Sequence, residues 1–216
     1  MSIISSDTRF IGISTSVNLT ERKSALINSQ TEPYTMQDFV DTINSQGLSG
    51  LYAQTALGTL ITNTTVETSL VGAGVGTLLV PPNTFQVGYS FTARLCGYLS
   101  CANNETIHIR VRSDGNIIAD AGVFAMKTTT NKFFELSIDF TVTKIGVAGA
   151  AELFTNGQYS YNHDSQGEIS GNNFASVTNT IFNTTVLNAL SITAQWGAAS
   201  ASNKIQSQNF VLMKVY

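Results

Sequence analysis

Hydrophobic residues recur at every second position along much of this chain. Phe134, Leu136, Ile138, Phe140 and Val142 alternate with Glu135, Ser137, Asp139, Thr141 and Thr143, the two-residue period that sends one set of side chains to each face of a β-strand. Tyr89, Phe91, Ala93, Leu95, Gly97 and Leu99 mark one face of another long strand. Ile107, Ile109 and Val111 mark a third, with His108, Arg110 and Arg112 opposite. Thr59 to Val71 alternates through Leu60, Thr62, Thr64, Val66, Thr68 and Leu70, and Leu190, Ile192, Ala194 and Trp196 predict a further strand. The chain closes on Ile205 to Tyr216, where Phe210, Val211, Leu212, Met213, Val215 and Tyr216 crowd together. Terminal residues fray unless something ties them down, so this pattern predicts a last strand held inside a sheet.

Turn chemistry divides these runs. Asp114-Gly115 and Asn156-Gly157 are dipeptides that accept the positive φ angles of tight hairpins. Pro81-Pro82-Asn83 stops the run Thr77–Val80, and the polar, glycine-containing stretch 162–173 reads as a loop. The expectation is about eight to ten short-linked strands with no helix between them, hence an all-β antiparallel sandwich rather than a βαβ fold. No fixed-period repeat suggests a propeller or solenoid.

Residues 1–50 break the pattern. Ile3-Ile4 and Phe10-Ile11-Gly12-Ile13 are apolar patches in Ser/Thr/Asn-rich sequence. Thr35 to Gly47 then reads as a single short helix near 35–46, with Thr35 as N-cap and Gly47 as its stop. Met36, Phe39, Val40 and Ile43 share one face at helical spacing. The predicted organisation is an N-terminal extension, 1–50, whose Met36–Ile43 face packs on its own domain or anchors on a partner, followed by a sandwich over 57–216.

Composition narrows the function. Of 216 residues only 12% are charged, against roughly 25% in ordinary soluble domains. Polarity comes from Ser, Thr, Asn and Gln, a surface that suits strands and also interfaces, where few charges must be desolvated. A net charge of −3 leaves no electrostatic footprint for nucleic acid. No apolar run approaches the roughly 18 residues of a membrane span, and the first residues lack the basic and apolar regions of a secretory signal. Cys96 and Cys101 are an odd number of residues apart, which puts them on opposite faces of a continuous strand and predicts free thiols.

Candidate chemistry is thin. Gly72-Ala-Gly74-Val-Gly76 is followed by strand and proline rather than a helix, so it lacks the N-terminus that binds phosphate. His163 beside Asp164 in the polar stretch is a candidate surface-loop binding pair, and Trp196 a candidate aromatic platform if exposed. Glu135 and Asp139 fall on one strand face, where a solvated or inter-subunit role is the plainer reading than paired acids. No catalytic residue, metal ligand set or cofactor site is assigned.

The stretch Gly76-Thr-Leu-Leu-Val-Pro-Pro-Asn-Thr-Phe-Gln-Val-Gly88, with Tyr89-Ser-Phe-Thr-Ala-Arg-Leu-Cys-Gly97, resembles jelly-roll structural proteins of DNA viruses and phages. Ile107–Arg112, Phe133–Phe140 and Ala194–Gly197 continue that likeness to the chain end, over 57–216. Similar strand grammar occurs in trimeric C1q/TNF-like heads. The resemblance implies a jelly roll and a non-enzymatic virion component: a penton, a minor capsid or cement protein, or a surface fibre head. Such a protein forms homo-oligomers, trimers or pentamers, and contacts other capsid proteins. The competing expectation is a C1q/TNF-like or lectin-like head that recognises a host glycan or receptor through 162–173 and Trp196.

Overall fold

The computed structural model describes residues 50–216 except Gln166, leaving aside the side chains of residues 177–181. The expected helix at 35–46, with Met36, Phe39, Val40 and Ile43, falls outside the described residues.

The alternating runs form an antiparallel β-sandwich. Five short strands come first: β1 (Gly50–Gln54), β2 (Ile61–Thr62), β3 (Thr68–Ser69), β4 (Gly74–Gly76) and β5 (Leu79–Val80). The long ones follow: β6 (Ser90–Cys101), β7 (Thr106–Ser113), β8 (Asn116–Ala125), β9 (Thr129–Ile145), β10 (Ala150–Asn162), β11 (Ile169–Asn183), β12 (Asn188–Trp196) and β13 (Lys204–Lys214). One sheet has eight strands in the order β11-β10-β9-β6-β13-β1-β4, with β2 also on β13. The other has five, β3-β12-β7-β8, with β5 also on β12. The antiparallel pairs nest along the chain: β1 with β13, β3 and β5 with β12, β6 with β9, β7 with β8. The β10–β11 hairpin extends the larger sheet beyond β9.

The core lies between the sheets, where the alternation placed it. Phe134, Leu136, Ile138, Phe140 and Val142 are buried, as are Phe91, Ala93, Leu95 and Leu99 opposite Ile107, Ile109 and Val111. The last strand is interior: β13 is hydrogen-bonded to β6 on one side and β1 on the other, burying Phe210 and Leu212. Asp114 and Gly115, with φ of 46° and 86°, make the tight β7–β8 turn through the left-handed conformations that a two-residue hairpin requires. Cys96 and Cys101 are both on β6, on opposite faces, and both free.

Several expectations are corrected. Asn156-Gly157 is no turn; it sits in the middle of β10, where Gly157 pairs with Phe174 and the aromatic ring covers the space a side chain would fill. The polar stretch 162–173 is a loop only over 163–168, because residues 169–173 already pair with β10. Thr59 to Val71 is not one strand. It crosses between the sheets and pairs only at β2 and β3, leaving Leu60 and Val66 exposed while Ile61 and Leu70 are buried. Gly74 and Gly76 belong to strand β4 and lie against the backbone of β1 too closely for any Cβ. The sheet also takes in β1, ahead of the point where the alternation begins.

A buried polar knot fastens the crossing segment to β13. Ser207 donates its hydroxyl hydrogen to the Leu70 carbonyl and accepts from Gln54 Nε2 at 3.1 Å, while Gln54 Oε1 accepts from Gly72 N–H at 3.0 Å. Each buried polar atom named there has a partner, which avoids the 1–3 kcal/mol typical of an orphaned one.

Two glycines separate rigid from forgiving contacts. A Cβ on Gly97 would strike the Gln206 carbonyl oxygen, next to the bulge between Ser207 and Asn209 in β13. A Cβ on Gly157 would strike only the tip of the Phe174 ring. Urea denaturation of Gly97→Ala is expected to show a loss of about 2–3 kcal/mol, because backbone cannot yield, and Gly157→Ala a smaller one. Equal losses would refute this ranking. Burial pushes the Cys101 thiol up to about 11, so alkylation at pH 8 is expected to modify half-buried Cys96 first, with Cys101 reacting only on unfolding; mass spectrometry of the peptides reads this directly.

Candidate interaction surface

The outer face of the larger sheet is broad and nearly neutral. Its side chains come from the alternate positions of the strands whose other positions fill the core. From β6 it takes Thr92, Arg94, Cys96, Tyr98 and Ser100; from β9, Phe133, Glu135, Ser137, Asp139 and Thr141. From β10 it takes Phe154, Asn156, Gln158 and Ser160, and from β13 Val211 and Met213. The charges nearly cancel, because Arg94 and Glu135 form an ion pair with each other. Tyr98 and Phe133 are directly cross-strand, their ring centroids 6.5 Å apart, and each is 44% exposed. Phe154 and Met213 are also partly exposed on this sheet. Large apolar side chains on the water side of a strand carry no packing benefit unless something covers them.

The smaller sheet presents the opposite character. On its outer face a chain of hydrogen-bonded and ion-paired side chains runs Asp120, His108, Arg110, Glu67, Arg112. His108 Nε2 lies 2.5 Å from Asp120 Oδ1, and Arg110 contacts His108 Nδ1 at 2.7 Å and Gln195 Oε1 at 2.9 Å. Glu67 pairs with Arg110 and accepts from Arg112 Nε at 2.7 Å and from its terminal nitrogen at 3.2 Å. The β-period explains this, since His108, Arg110 and Arg112 occupy successive outward positions of β7. Burial raises the Glu67 carboxyl, but the Arg112 hydrogen bonds and the two guanidinium charges outweigh it and hold the group below its ordinary value. Asp120 is likewise held low: burial opposes, while the Gly122 N–H and His108 prevail. The network is satisfied internally, and it straps the 64–67 segment over the sheet, with Gln195 Nε2 donating to the Thr65 carbonyl at 3.0 Å.

The residues singled out from sequence are not brought together. Trp196 is 1% exposed, its indole N–H directed at the Ile61 carbonyl at 3.4 Å. It is a core residue and no surface platform, because it shares the inward parity of Ile192 and Ala194. His163 is also buried, with Nε2 3.3 Å from Glu168 Oε1. Asp164 is exposed but occupied: it accepts from Thr130 N–H at 3.0 Å and Thr130 hydroxyl at 2.7 Å, bonds that hold its carboxyl low. The pair closes the β10–β11 loop onto the start of β9. Glu135 is spent on Arg94. Asp139, four residues along the same strand, is about 13 Å away, beyond the roughly 5–10 Å of paired glycosidase acids. Among the described residues, no three His, Cys, Asp or Glu side chains converge as metal ligands. None of the described helices is long and apolar enough to cross a membrane.

Sequence reasoning passed over Tyr98, Phe133 and Glu67. A signal existed for the first two, since both are aromatics on the polar parity of otherwise regular strands. Glu67 had none, because it joins the arginines only through the crossing of the 64–67 segment.

No protein-family model matches the chain, and no curated protein matches it in sequence.

Glu67→Gln is expected to destabilise the fold by about 1–2 kcal/mol at neutral pH, because two half-buried arginines lose their carboxylate. A depressed carboxyl contributes stability above its unfolded value of 4.5, and that contribution is lost as pH falls through the lower folded value. The gap between wild type and Glu67→Gln should therefore narrow on acidification below about pH 4.5; a gap constant from pH 7 to pH 3 in thermal melts would contradict this assignment.

Proposed function

We propose that this protein is a non-enzymatic structural module that assembles with copies of itself through the outer face of its larger sheet. The observation that carries the reading is that face: wide, charge-poor, its Arg94–Glu135 ion pair internally neutralised, with the exposed rings of Tyr98 and Phe133 side by side across the strands. An interface core of this kind loses little by desolvation and gains from aromatic burial. A charge-poor face repeated on identical subunits favours closed symmetric assembly.

The nested pairing of β1–β13, β3/β5–β12, β6–β9 and β7–β8 across two sheets supports a jelly-roll reading and, with it, the resemblance to virion building blocks. On that reading the chain is a single jelly-roll component of a particle: a penton, a minor capsid or cement protein, or a fibre head. Its copies form a trimer or pentamer that meets other capsid proteins. The lectin-like alternative draws less support, since Trp196 lies in the core and His163 and Asp164 are occupied in closing a loop.

Light scattering of the full chain at several concentrations tests the proposal. The expected result is a stable trimer or pentamer that Tyr98→Glu with Phe133→Lys converts to monomer while circular dichroism stays unchanged. A wild-type monomer at every concentration, or an oligomer indifferent to both substitutions, would overturn it.

A further inference from the structure

The sandwich is not filled at one end. Where β7, β9, β11 and β13 finish and β6, β8, β10 and β12 begin, a cavity of about 320 Å³ opens between the sheets. Four phenylalanines line it, Phe91 stacked on Phe140 at 5.3 Å and Phe85 edge-on to Phe91 and Phe182 at 6.1 and 5.0 Å. Buried Ile118 and Leu153 lie deeper, while Thr77, Leu79, Thr84 and Lys214, all at least partly exposed, form the rim. Well-packed cores leave few voids larger than a water molecule. A volume at the lower edge of the roughly 300–1,000 Å³ of ligand pockets, with apolar walls and few polar groups, has the form of a binding site.

The polar groups decide what kind. Ser113 and Asn188 line the cavity but are spent on each other at 2.8 Å, and the Asn188 amide donates to the Asn183 and Val186 carbonyls at 2.9 and 3.0 Å. Thr84 is bonded to the Pro81 carbonyl and Thr77 to Leu79 N–H, at 2.8 and 2.9 Å. Lys214 remains. Its ammonium lies 3.3 Å from the centroid of the Tyr89 ring, and among the described residues it pairs with no carboxylate. The Tyr89 face holds the cation at the rim yet leaves its hydrogen-bond donors free, since a cation–π contact uses none of them.

We propose that this cavity binds a single-chain amphiphile, its apolar tail between the phenylalanines and its anionic head on Lys214. The head is a carboxylate or a phosphate, to either of which a lysine ammonium donates. A volume of about 320 Å³ matches one short alkyl chain. This inference is independent of the assembly reading, because the cavity lies between the sheets and the proposed interface lies outside one of them.

Calorimetric titration of the full chain with decanoate, decyl phosphate and decan-1-ol provides the test. Wild type is expected to bind at least one of the two anions about tenfold more tightly than the alcohol, the scale of a charge-assisted contact. Lys214→Met should erase that preference and Lys214→Arg restore it. Leu190→Trp, which fills the cavity, should abolish binding of all three; Leu78→Phe serves the same purpose if the first variant melts early. The proposal is overturned if no probe binds wild type, if the alcohol binds as tightly as both anions, or if a folded cavity-filled variant binds unchanged.

Discussion

The structure depends on the antiparallel pairing of β13 with both β6 and β1. With that strand in place the larger sheet is continuous from β11 to β4; without it, β1 and β4 have no partner in the rest of the sandwich. The pairing of β13 with β1 joins the residues most widely separated in sequence among the described strand pairs. Closing such contacts costs loop entropy before any packing energy is gained. The compensation is local and dense: Phe210 and Leu212 enter the core, Tyr52 packs on Phe210 at 5.9 Å, and Ser207 anchors the crossing segment through Gln54 and Leu70.

That central strand also separates the molecule's two surfaces. Because the core fills only one side of each sheet, the remaining side of every strand is defined by the same alternation. On the smaller sheet the outward positions of β7 carry charge and are cross-linked by Glu67. On the larger sheet they carry mostly Ser, Thr, Asn and Gln, the exposed aromatics Tyr98, Phe133 and Phe154, and an Arg94–Glu135 ion pair. The first face is charged and strapped, and the second is nearly neutral with exposed rings side by side. The different character of the two faces thus follows from which residues share an outward parity.

The open end has the same origin. Strands that alternate perfectly fill the middle of a sandwich, but at its end the chain must turn, and segment 77–89 bridges the gap with prolines and a single inward phenylalanine. Phe85 reaches the core while its neighbours cannot, so space is left among the aromatic rings. Lys214, next to the last core residues of β13, is placed at that space by the register that puts Leu212 inside.

Much of this was legible in the sequence. The alternation of 134–142, 91–99 and 107–111 determined which side chains form the core, because a two-residue period admits only one inward set. Asp114-Gly115 determined a hairpin, since few other pairs tolerate two positive φ angles. The odd spacing of Cys96 and Cys101 determined that they face apart. What the tertiary structure decided was pairing between distant segments. Asn156-Gly157 has the same local chemistry as a turn, yet the Phe174 ring across the strand makes that glycine a packing site. Trp196 could have stood on either face until the partner strands fixed its parity inward. Glu67 meets Arg110 and Arg112 only because a segment more than forty positions earlier in sequence crosses above them. Local sequence sets the period and the turns; which surfaces meet depends on contacts between residues far apart along the chain.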